Sequence, residues 1–111
     1  MFNFCSLYSG SSGNCLFVET KNTRVLIDAG VSCKKIENAL NGINIEPKSL
    51  DGILVTHEHI DHVQSLGSFS KKFDLPVFVN QETLDNMPKQ RDKISDKNIN
   101  IFKVSEEKGR K

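Results

Sequence analysis

The chain has 111 residues, of which 37% are hydrophobic and 26% are charged, and its formal net charge is +1. This length fits one compact domain, and the composition is typical of a folded soluble protein rather than a disordered one. No apolar run approaches the roughly 20 residues of a membrane-spanning helix, and the first residues lack the pattern of a signal peptide. We therefore expect a cytoplasmic protein that has no membrane segment.

The first part of the chain has the alternation and the turn residues of antiparallel strands. Residues 2–7 alternate apolar and polar side chains, as in a half-buried strand, and residues 15–18 resume a strand. Residues 9–14 form a turn between them, with two glycines that can adopt positive φ. After a tight turn at residues 21–23, the apolar run at residues 25–27 predicts a strand that is covered on both faces.

Helices and strands alternate in the rest of the chain. Three further strands are predicted, at residues 52–56, 77–79 and 99–104. Three helices are predicted between them: residues 32–42 with Ser32 as N-cap, a helix from near residue 61, and a short helix capped by Asn80 that extends through residue 87. This alternation after an opening hairpin favours an α/β layered domain.

The charged residues are unevenly distributed along the chain. Residues 1–85 contain 7 Lys and Arg against 10 Asp and Glu, whereas residues 86–111 contain 8 against 4. A basic segment can contact nucleic-acid phosphates, but such a segment is more often simply a solvated surface. The charge pattern alone leaves both interpretations open.

All three histidines of the chain lie within six residues, at His57, His59 and His62, and Asp61 lies among them. His57 and His59 are two residues apart after a buried strand, so an extended backbone points both imidazoles the same way. Asp61 and His62 fall in the turn into the next helix and can be aimed at the same point. Imidazoles with one carboxylate suit Zn²⁺ best, with Mn²⁺ and Fe as alternatives. A surface cluster, or histidines that form hydrogen bonds in the core, would be the non-metal explanation.

The His-x-His-x-Asp-His string at residues 57–62 resembles the second motif of the metallo-β-lactamase-fold superfamily. Residues 25–30, where a strand ends in Asp28, resemble its first motif. The glycine-serine turn at residues 9–14 resembles the small bacterial metallo-hydrolases encoded beside the cell-wall two-component regulator, which are regarded as DNA exonucleases. The resemblance extends from about residue 4 to residue 80.

This resemblance implies the N-terminal half of an αβ/βα sandwich, with a mixed sheet and helices on one face. It also implies two divalent metals per complete site. His57 and His59 would bind the first metal, and Asp61 and His62 would bind the second. Asp61 would also act in catalysis by orienting the attacking water. Asp28 would fix the metal-binding segment through hydrogen bonds, although an aspartate that caps the turn after its strand is the alternative.

The function that the resemblance implies is hydrolysis by a metal-bound hydroxide. We favour a phosphodiesterase, with DNA as partner, because a phosphodiester transition state concentrates negative charge on oxygens that two cations can neutralise. An ester, thioester or lactam hydrolase of the same superfamily is the alternative. A non-catalytic metal-binding or interaction module, or a vestigial metal motif, would be a different class of explanation.

The sequence departs from the superfamily after the metal motif. No histidine follows His62, whereas the superfamily uses a third His for the first metal, an Asp that bridges both metals, and a further His for the second. The related enzymes are also longer, built from two similar halves. We therefore expect residues 1–111 to form one truncated domain with weak or no activity alone. Such a half would expose an apolar sheet face and favour self-association.

Overall fold

Six strands form one mixed sheet, and their order in the sheet is the same as their order in the chain. The computed structural model describes residues 2–103. The strands are β1 (Phe2–Tyr8), β2 (Cys15–Thr20), β3 (Arg24–Ile27), β4 (Gly52–Leu54), β5 (Val77–Val79) and β6 (Ile99–Ile101). Strands β1 to β3 pair antiparallel, and strands β3 to β6 pair parallel. This arrangement confirms the predicted α/β fold with a mixed sheet.

Helices connect the parallel strands and cover one face of the sheet. They are α1 (Cys33–Gly42), α2 (Ile60–Val63), α3 (Leu66–Phe73), α4 (Gln81–Asp85) and α5 (Pro88–Lys93), with short 3₁₀ turns at Pro47–Ser49 and Asp96–Asn98. In a parallel sheet that grows in one direction, right-handed crossovers, which are the rule, place their helices on the same side. Among the described residues, no helix has both the length and the apolar character to cross a membrane.

The core lies between the sheet and these helices. Alternate strand residues face it, and Leu26, Ile53 and Val77 are 0% exposed. They belong to the same core as Ile36 of α1 and Phe69 of α3. The period of two in the strands and of 3.6 in the helices therefore gives each element one apolar face for a common core.

The opposite face of the sheet has no such cover within residues 2–103. The register of the strands places on this face Phe4, Leu16, Val18, Val25, Ile27, Leu54 and Phe78. Phe2 and Phe4 are 63% and 65% exposed. The prediction of a half-buried first strand is therefore wrong for these two rings. The prediction that residues 25–27 are covered on both faces is wrong as well, because Val25 and Ile27 are half-buried.

The predicted helices are confirmed in position, with differences at their ends. Ser32 caps α1 by accepting from the Lys35 amide, and Asn80 caps α4 by accepting from the Thr83 amide. Helix α4 ends at Asp85, earlier than predicted, and α5 was not predicted. The predicted strand at residues 99–104 is present at Ile99–Ile101 and does not include residues 102 and 103, while residue 104 lies outside the described residues.

The single helix predicted from residue 61 is divided into α2 and α3. Ser65 lies between them, and its backbone N–H donates to the Ala29 carbonyl at 3.0 Å. The Ser65 hydroxyl donates to the Val31 carbonyl at 2.6 Å. These two bonds draw residue 65 towards the connection between β3 and α1, so the helical hydrogen bonding is interrupted there.

Cys5, Cys15 and Cys33 are free thiols. Cys15 faces the core and is 1% exposed. Burial, with a smaller contribution from the nearby Asp28 carboxylate, raises the pKa of Cys15 to about 12. Cys15 belongs to the buried hydrophobic core, where it packs as a small apolar side chain.

Candidate metal centre

The predicted site residues all lie at the carboxyl edge of the parallel strands, where α/β proteins usually bind ligands. Asp28 follows β3, and His57 and His59 follow β4. Asp61 and His62 belong to the first turn of α2, rather than to the turn before it as predicted. The sheet order places β3 beside β4, so the segment with Asp28 lies next to the segment with the histidines.

Three imidazole rings gather in this segment. The ring centroid of His57 lies 6.1 Å from that of His59 and 4.8 Å from that of His62. The rings of His57 and His59 are inclined by 28°, as expected for side chains two residues apart on an extended backbone. Asp61 Oδ2 lies 3.7 Å from His62 Nε2. The structure therefore brings His57 close to both other histidines and Asp61 close to His62.

The Asp28 carboxylate is the centre of the hydrogen bonds behind these rings. Asp28 is 4% exposed, and its Oδ1 accepts from the Thr56 amide at 2.8 Å. Its Oδ2 accepts from the Thr56 hydroxyl at 2.6 Å and from His62 Nδ1 at 2.7 Å. A buried carboxylate needs such donors to offset its lost hydration. The Asp28 carboxylate thus joins Thr56 and His62, and its support of metal binding stays a prediction.

These contacts determine which ring nitrogen carries the proton. An ionised carboxylate only accepts, so His62 must donate from Nδ1. The Thr56 hydroxyl gives its proton to Asp28 and lies 3.0 Å from His57 Nδ1, so it accepts from that nitrogen. In a neutral imidazole that donates from Nδ1, the Nε2 lone pair is available to a metal. In metal-binding histidines, one ring nitrogen binds the metal while the other usually donates a hydrogen bond to an oxygen atom.

Two residues of this network were not singled out from the sequence, Thr56 and Asn14. The position of Thr56, immediately before the first histidine at a strand end, was the available signal. Asn14 belongs to the glycine-serine turn, and its backbone N–H donates to the Asp61 carbonyl at 2.8 Å. The Asn14 side-chain amide lies 3.3 Å from Asp61 Oδ2. The turn between β1 and β2 thus borders the candidate site directly.

The donor set fits a divalent metal in its chemistry. Three imidazoles and one carboxylate match the ligands that Zn²⁺ prefers, and the two assigned tautomers present Nε2. Among residues 2–103, however, no three His, Cys, Asp or Glu side chains are close enough together to enclose a metal ion. The described residues therefore supply suitable donors without forming a closed coordination shell.

An open cleft adjoins the metal-binding segment. It has a volume of about 290 Å³, and Glu58 and Ile60 line one side of it while Met87, Pro88 and Lys89 line the other. Ile60 is 68% exposed. Glu58 and Ile60 therefore face a largely apolar surface formed by Met87 and the start of α5.

Comparison with protein families decides the identity of this arrangement. The family model of the metallo-beta-lactamase superfamily matches residues 8–108, which include Asp28 and the whole of residues 57–62. The chain belongs to the metallo-beta-lactamase superfamily. The resemblance found in the sequence motifs is thereby confirmed.

Curated relatives of this metallo-beta-lactamase-fold chain include two exodeoxyribonucleases. The chain is 38% identical over 109 residues to exodeoxyribonuclease WalJ of Streptococcus pneumoniae serotype 2, a match that covers 96% of this chain and 40% of WalJ. It is 44% identical over 85 residues to exodeoxyribonuclease YycJ of Bacillus anthracis, covering 77% of this chain and 32% of YycJ. The chain thus spans about 40% of the length of WalJ.

Solved structures agree with the superfamily assignment at the level of the fold. A B3 metallo-beta-lactamase with an active-site glutamic acid superposes with a TM-score of 0.75 at 17% identity, covering 94% of this chain and 44% of that one. The Rm3 metallo-beta-lactamase superposes with a TM-score of 0.65 at 24% identity, covering 76% and 32%. The six-stranded unit is therefore the metallo-beta-lactamase fold over the part that these structures share.

Proposed function

We propose that this chain carries metal-binding residues of a metal-dependent DNA exonuclease. His57 and His59 would hold one divalent metal, and Asp61 and His62 a second, with Zn²⁺ preferred and Mn²⁺ or Fe as alternatives. Asp28 supports the segment from behind. The observation that carries the proposal is the match to exodeoxyribonucleases over 77% and 96% of the chain, together with the hydrogen bonds that leave two Nε2 atoms free.

The chain's own residues contribute orientation and charge to this chemistry. The Thr56 hydroxyl and the Asp28 carboxylate hold the Nδ1 side of His57 and His62, so the rings cannot turn their free nitrogens away. Asp61 is half-buried, and its carboxylate can hold and orient a water molecule at the site. A divalent metal bound there would supply Lewis acidity, which lowers the pKa of water and stabilises negative charge on phosphate oxygens.

Two features favour DNA as the substrate. WalJ and YycJ are exodeoxyribonucleases by name. The described part of the basic segment, residues 86–103, also contains five Lys and Arg against two Asp. One of these cations, Lys89, lines the cleft beside Glu58 and Ile60. Positive side chains near the cluster would attract a phosphate backbone in a salt-dependent way.

The test is metal content and DNA hydrolysis measured on the same preparations. Zn²⁺ and Mn²⁺ per chain would be determined near neutral pH, because imidazole must be deprotonated to bind metal. Hydrolysis of an end-labelled DNA duplex would be followed for this chain and for the product of its whole reading frame. We expect the His57→Ala/His59→Ala variant to lose metal and nuclease activity together, whereas Asp51→Asn, at the opposite end of the sheet, should keep both.

Turnover of an ester, thioester or lactam without DNA hydrolysis would instead assign the site to acyl transfer. Unchanged metal content in the His57→Ala/His59→Ala variant would contradict the proposed metal site and indicate a vestigial motif.

A second candidate is metal binding without catalysis. It is favoured by the observation that no three donor side chains within residues 2–103 enclose a metal ion. This candidate predicts metal uptake that depends on His57, with no hydrolysis of DNA or of acyl substrates. Hydrolysis by the product of the whole reading frame would exclude it.

A further inference from the structure

The glycine-serine turn between β1 and β2 reaches the metal-binding segment through Asn14. The Asn14 backbone N–H donates to the Asp61 carbonyl at 2.8 Å. Its side-chain Nδ2 lies 3.2 Å from the same carbonyl and 3.3 Å from Asp61 Oδ2. One residue of the turn therefore contacts both the backbone and the carboxylate of Asp61, from 47 residues away in the chain.

Asn14 is itself held in place on its other side. Its Oδ1 accepts from the Gly10 amide at 3.1 Å, and its Nδ2 lies 3.0 Å from the Gly10 carbonyl. Its backbone carbonyl accepts from the Gly30 amide at 2.9 Å. Gly13 has a φ of +144°, a conformation that favours glycine. Hydrogen bonds within the turn therefore hold the Asn14 side chain in the orientation in which it contacts Asp61.

An amide is well suited to orient a carboxylate that binds metal. It donates a hydrogen bond without adding positive charge, so the carboxylate keeps the charge that attracts a cation. A separation of 3.3 Å is longer than the usual 2.9–3.0 Å of an N–H to oxygen bond, so the contact restrains Oδ2 only weakly. The same oxygen lies 3.7 Å from Nε2 of His62, the other residue proposed to bind the second metal.

From these contacts we propose that Asn14 is a positioning residue for Asp61 and thereby sets the affinity of the second metal. The inference rests on the proposed metal role of Asp61. This role would give the glycine-serine turn a function, which the sequence resemblance did not assign. The turn places the Asn14 amide at the edge of the sheet where β3 and β4 end. Groups that support metal ligands typically change affinity by 10- to 100-fold when they are removed.

The experiment is a stepwise titration of the metal-free chain with Co²⁺, followed by its visible absorption and by calorimetry. Four proteins would be compared: the unaltered chain, Asn14→Ala, Asp61→Ala and the double variant. Asn22→Ala, in the exposed turn between β2 and β3 at the other end of the sheet, is the matched control. Circular dichroism would verify that each metal-free protein is folded at the temperature of the titration.

Because the 3.3 Å contact is long, we expect Asn14→Ala to weaken the second binding step by about 10-fold, the lower end of this range, and to leave the first step unchanged. Asn22→Ala should bind Co²⁺ like the unaltered chain. The double variant should bind Co²⁺ as Asp61→Ala does, because a residue that acts through Asp61 has no effect once Asp61 is absent. Equal weakening of both steps, or additive losses in the double variant, would show that Asn14 only stabilises the fold. If Asp61→Ala bound Co²⁺ like the unaltered chain, the proposed metal role would fail, and this inference with it.

Discussion

Among single residues, Asp28 accepts three hydrogen bonds from Thr56 and His62, the two ends of the candidate metal-binding segment. It has a φ of +69°, which is uncommon outside glycine and is tolerated best by Asn and Asp. This conformation turns the chain at the end of β3, and the buried carboxylate then reaches Thr56 and His62, which lie 28 and 34 residues further along the chain. Asp28 therefore joins two strand ends by charge-assisted hydrogen bonds.

Replacing Asp28 with Asn should weaken metal binding while the chain remains folded. The amide keeps one acceptor oxygen but presents N–H groups where Oδ2 accepts hydrogen bonds from Thr56 and His62, so the His62 ring loses the partner of its Nδ1. We expect a 10- to 100-fold loss of Zn²⁺ affinity, measured by competition with a chromogenic chelator. Asp51→Asn is the matched control, since Asp51 Oδ2 accepts only from the Arg24 amide among the contacts described for residues 2–103. Equal affinities in the two variants would contradict the role of Asp28.

The site was predictable from the sequence to the extent that it is local. His57, His59, Asp61 and His62 fall within six residues, and strand and turn periodicity alone brings them together. Asn14 and Thr56 could not be assigned in the same way. Their partners Asp61 and Asp28 lie 47 and 28 residues away, so the contacts depend on the order of strands in the sheet.

At the scale of elements, the connection from β3 to α1 packs against the turn that contains Asn14 and against the start of α2. Gly30 in this connection has no room for a side chain. A Cβ on Gly30 would overlap the Asp61 carbonyl oxygen and lie 2.7 Å from the Asn14 amide nitrogen. These are backbone atoms, which cannot move aside as the end of a flexible side chain can. Glycine at this position is therefore required by the close approach of three chain segments.

Gly30→Ala should destabilise the chain and separate the turn from the metal-binding segment. Inserting a methyl group into a filled site typically costs about 1–3 kcal/mol. Gly42→Ala is the control, because a Cβ there meets nothing within 4 Å and Ala favours the end of α1. We expect Gly42→Ala to raise the free energy of unfolding by at most about 1 kcal/mol. Urea denaturation of both variants measures the difference, and a Gly30→Ala chain as stable as the unaltered one would contradict this packing.

The elements were predictable where a single periodic pattern determines them. Examples are the apolar runs that form β4 and β5, and helix α1 with its apolar face and its Ser32 N-cap. The division between α2 and α3 was not, because Ser65 is held by carbonyls of residues 29 and 31. Helix α5 has the sequence Pro-Lys-Gln-Arg-Asp-Lys, which has no apolar face to indicate a helix. Its position instead follows from packing against α3.

At the scale of the whole molecule, the two faces of the sheet differ in their surroundings. The helix side is buried, whereas the other side presents half-buried aliphatic residues beside the exposed rings of Phe2 and Phe4. The sequence predicted apolar strands correctly, but an apolar run does not by itself indicate how many faces are covered. That an exposed face of this kind leads to self-association stays a prediction.

The chain should associate through this face in a concentration-dependent way. Sedimentation velocity between about 5 and 200 µM would detect it, at concentrations where weak protein complexes form. Phe4→Ser removes an aromatic ring from the face, and we expect association to weaken about 10-fold or more, as the loss of a buried Phe side chain implies. Ile43→Ser, which alters an exposed residue at the end of α1, should have no such effect. A chain that is monomeric throughout this range would contradict the prediction.

The order of the sheet has a consequence for how the protein is made. Every strand pairs with the strand synthesised just before it, so the sheet can extend by one strand at a time as the chain leaves the ribosome. Asn14, Asp28 and the residues from Thr56 to His62 belong to the first four strands and the helix that follows. The candidate ligands therefore leave the ribosome before β5 and β6 do, and the part of the sheet that carries them can form first.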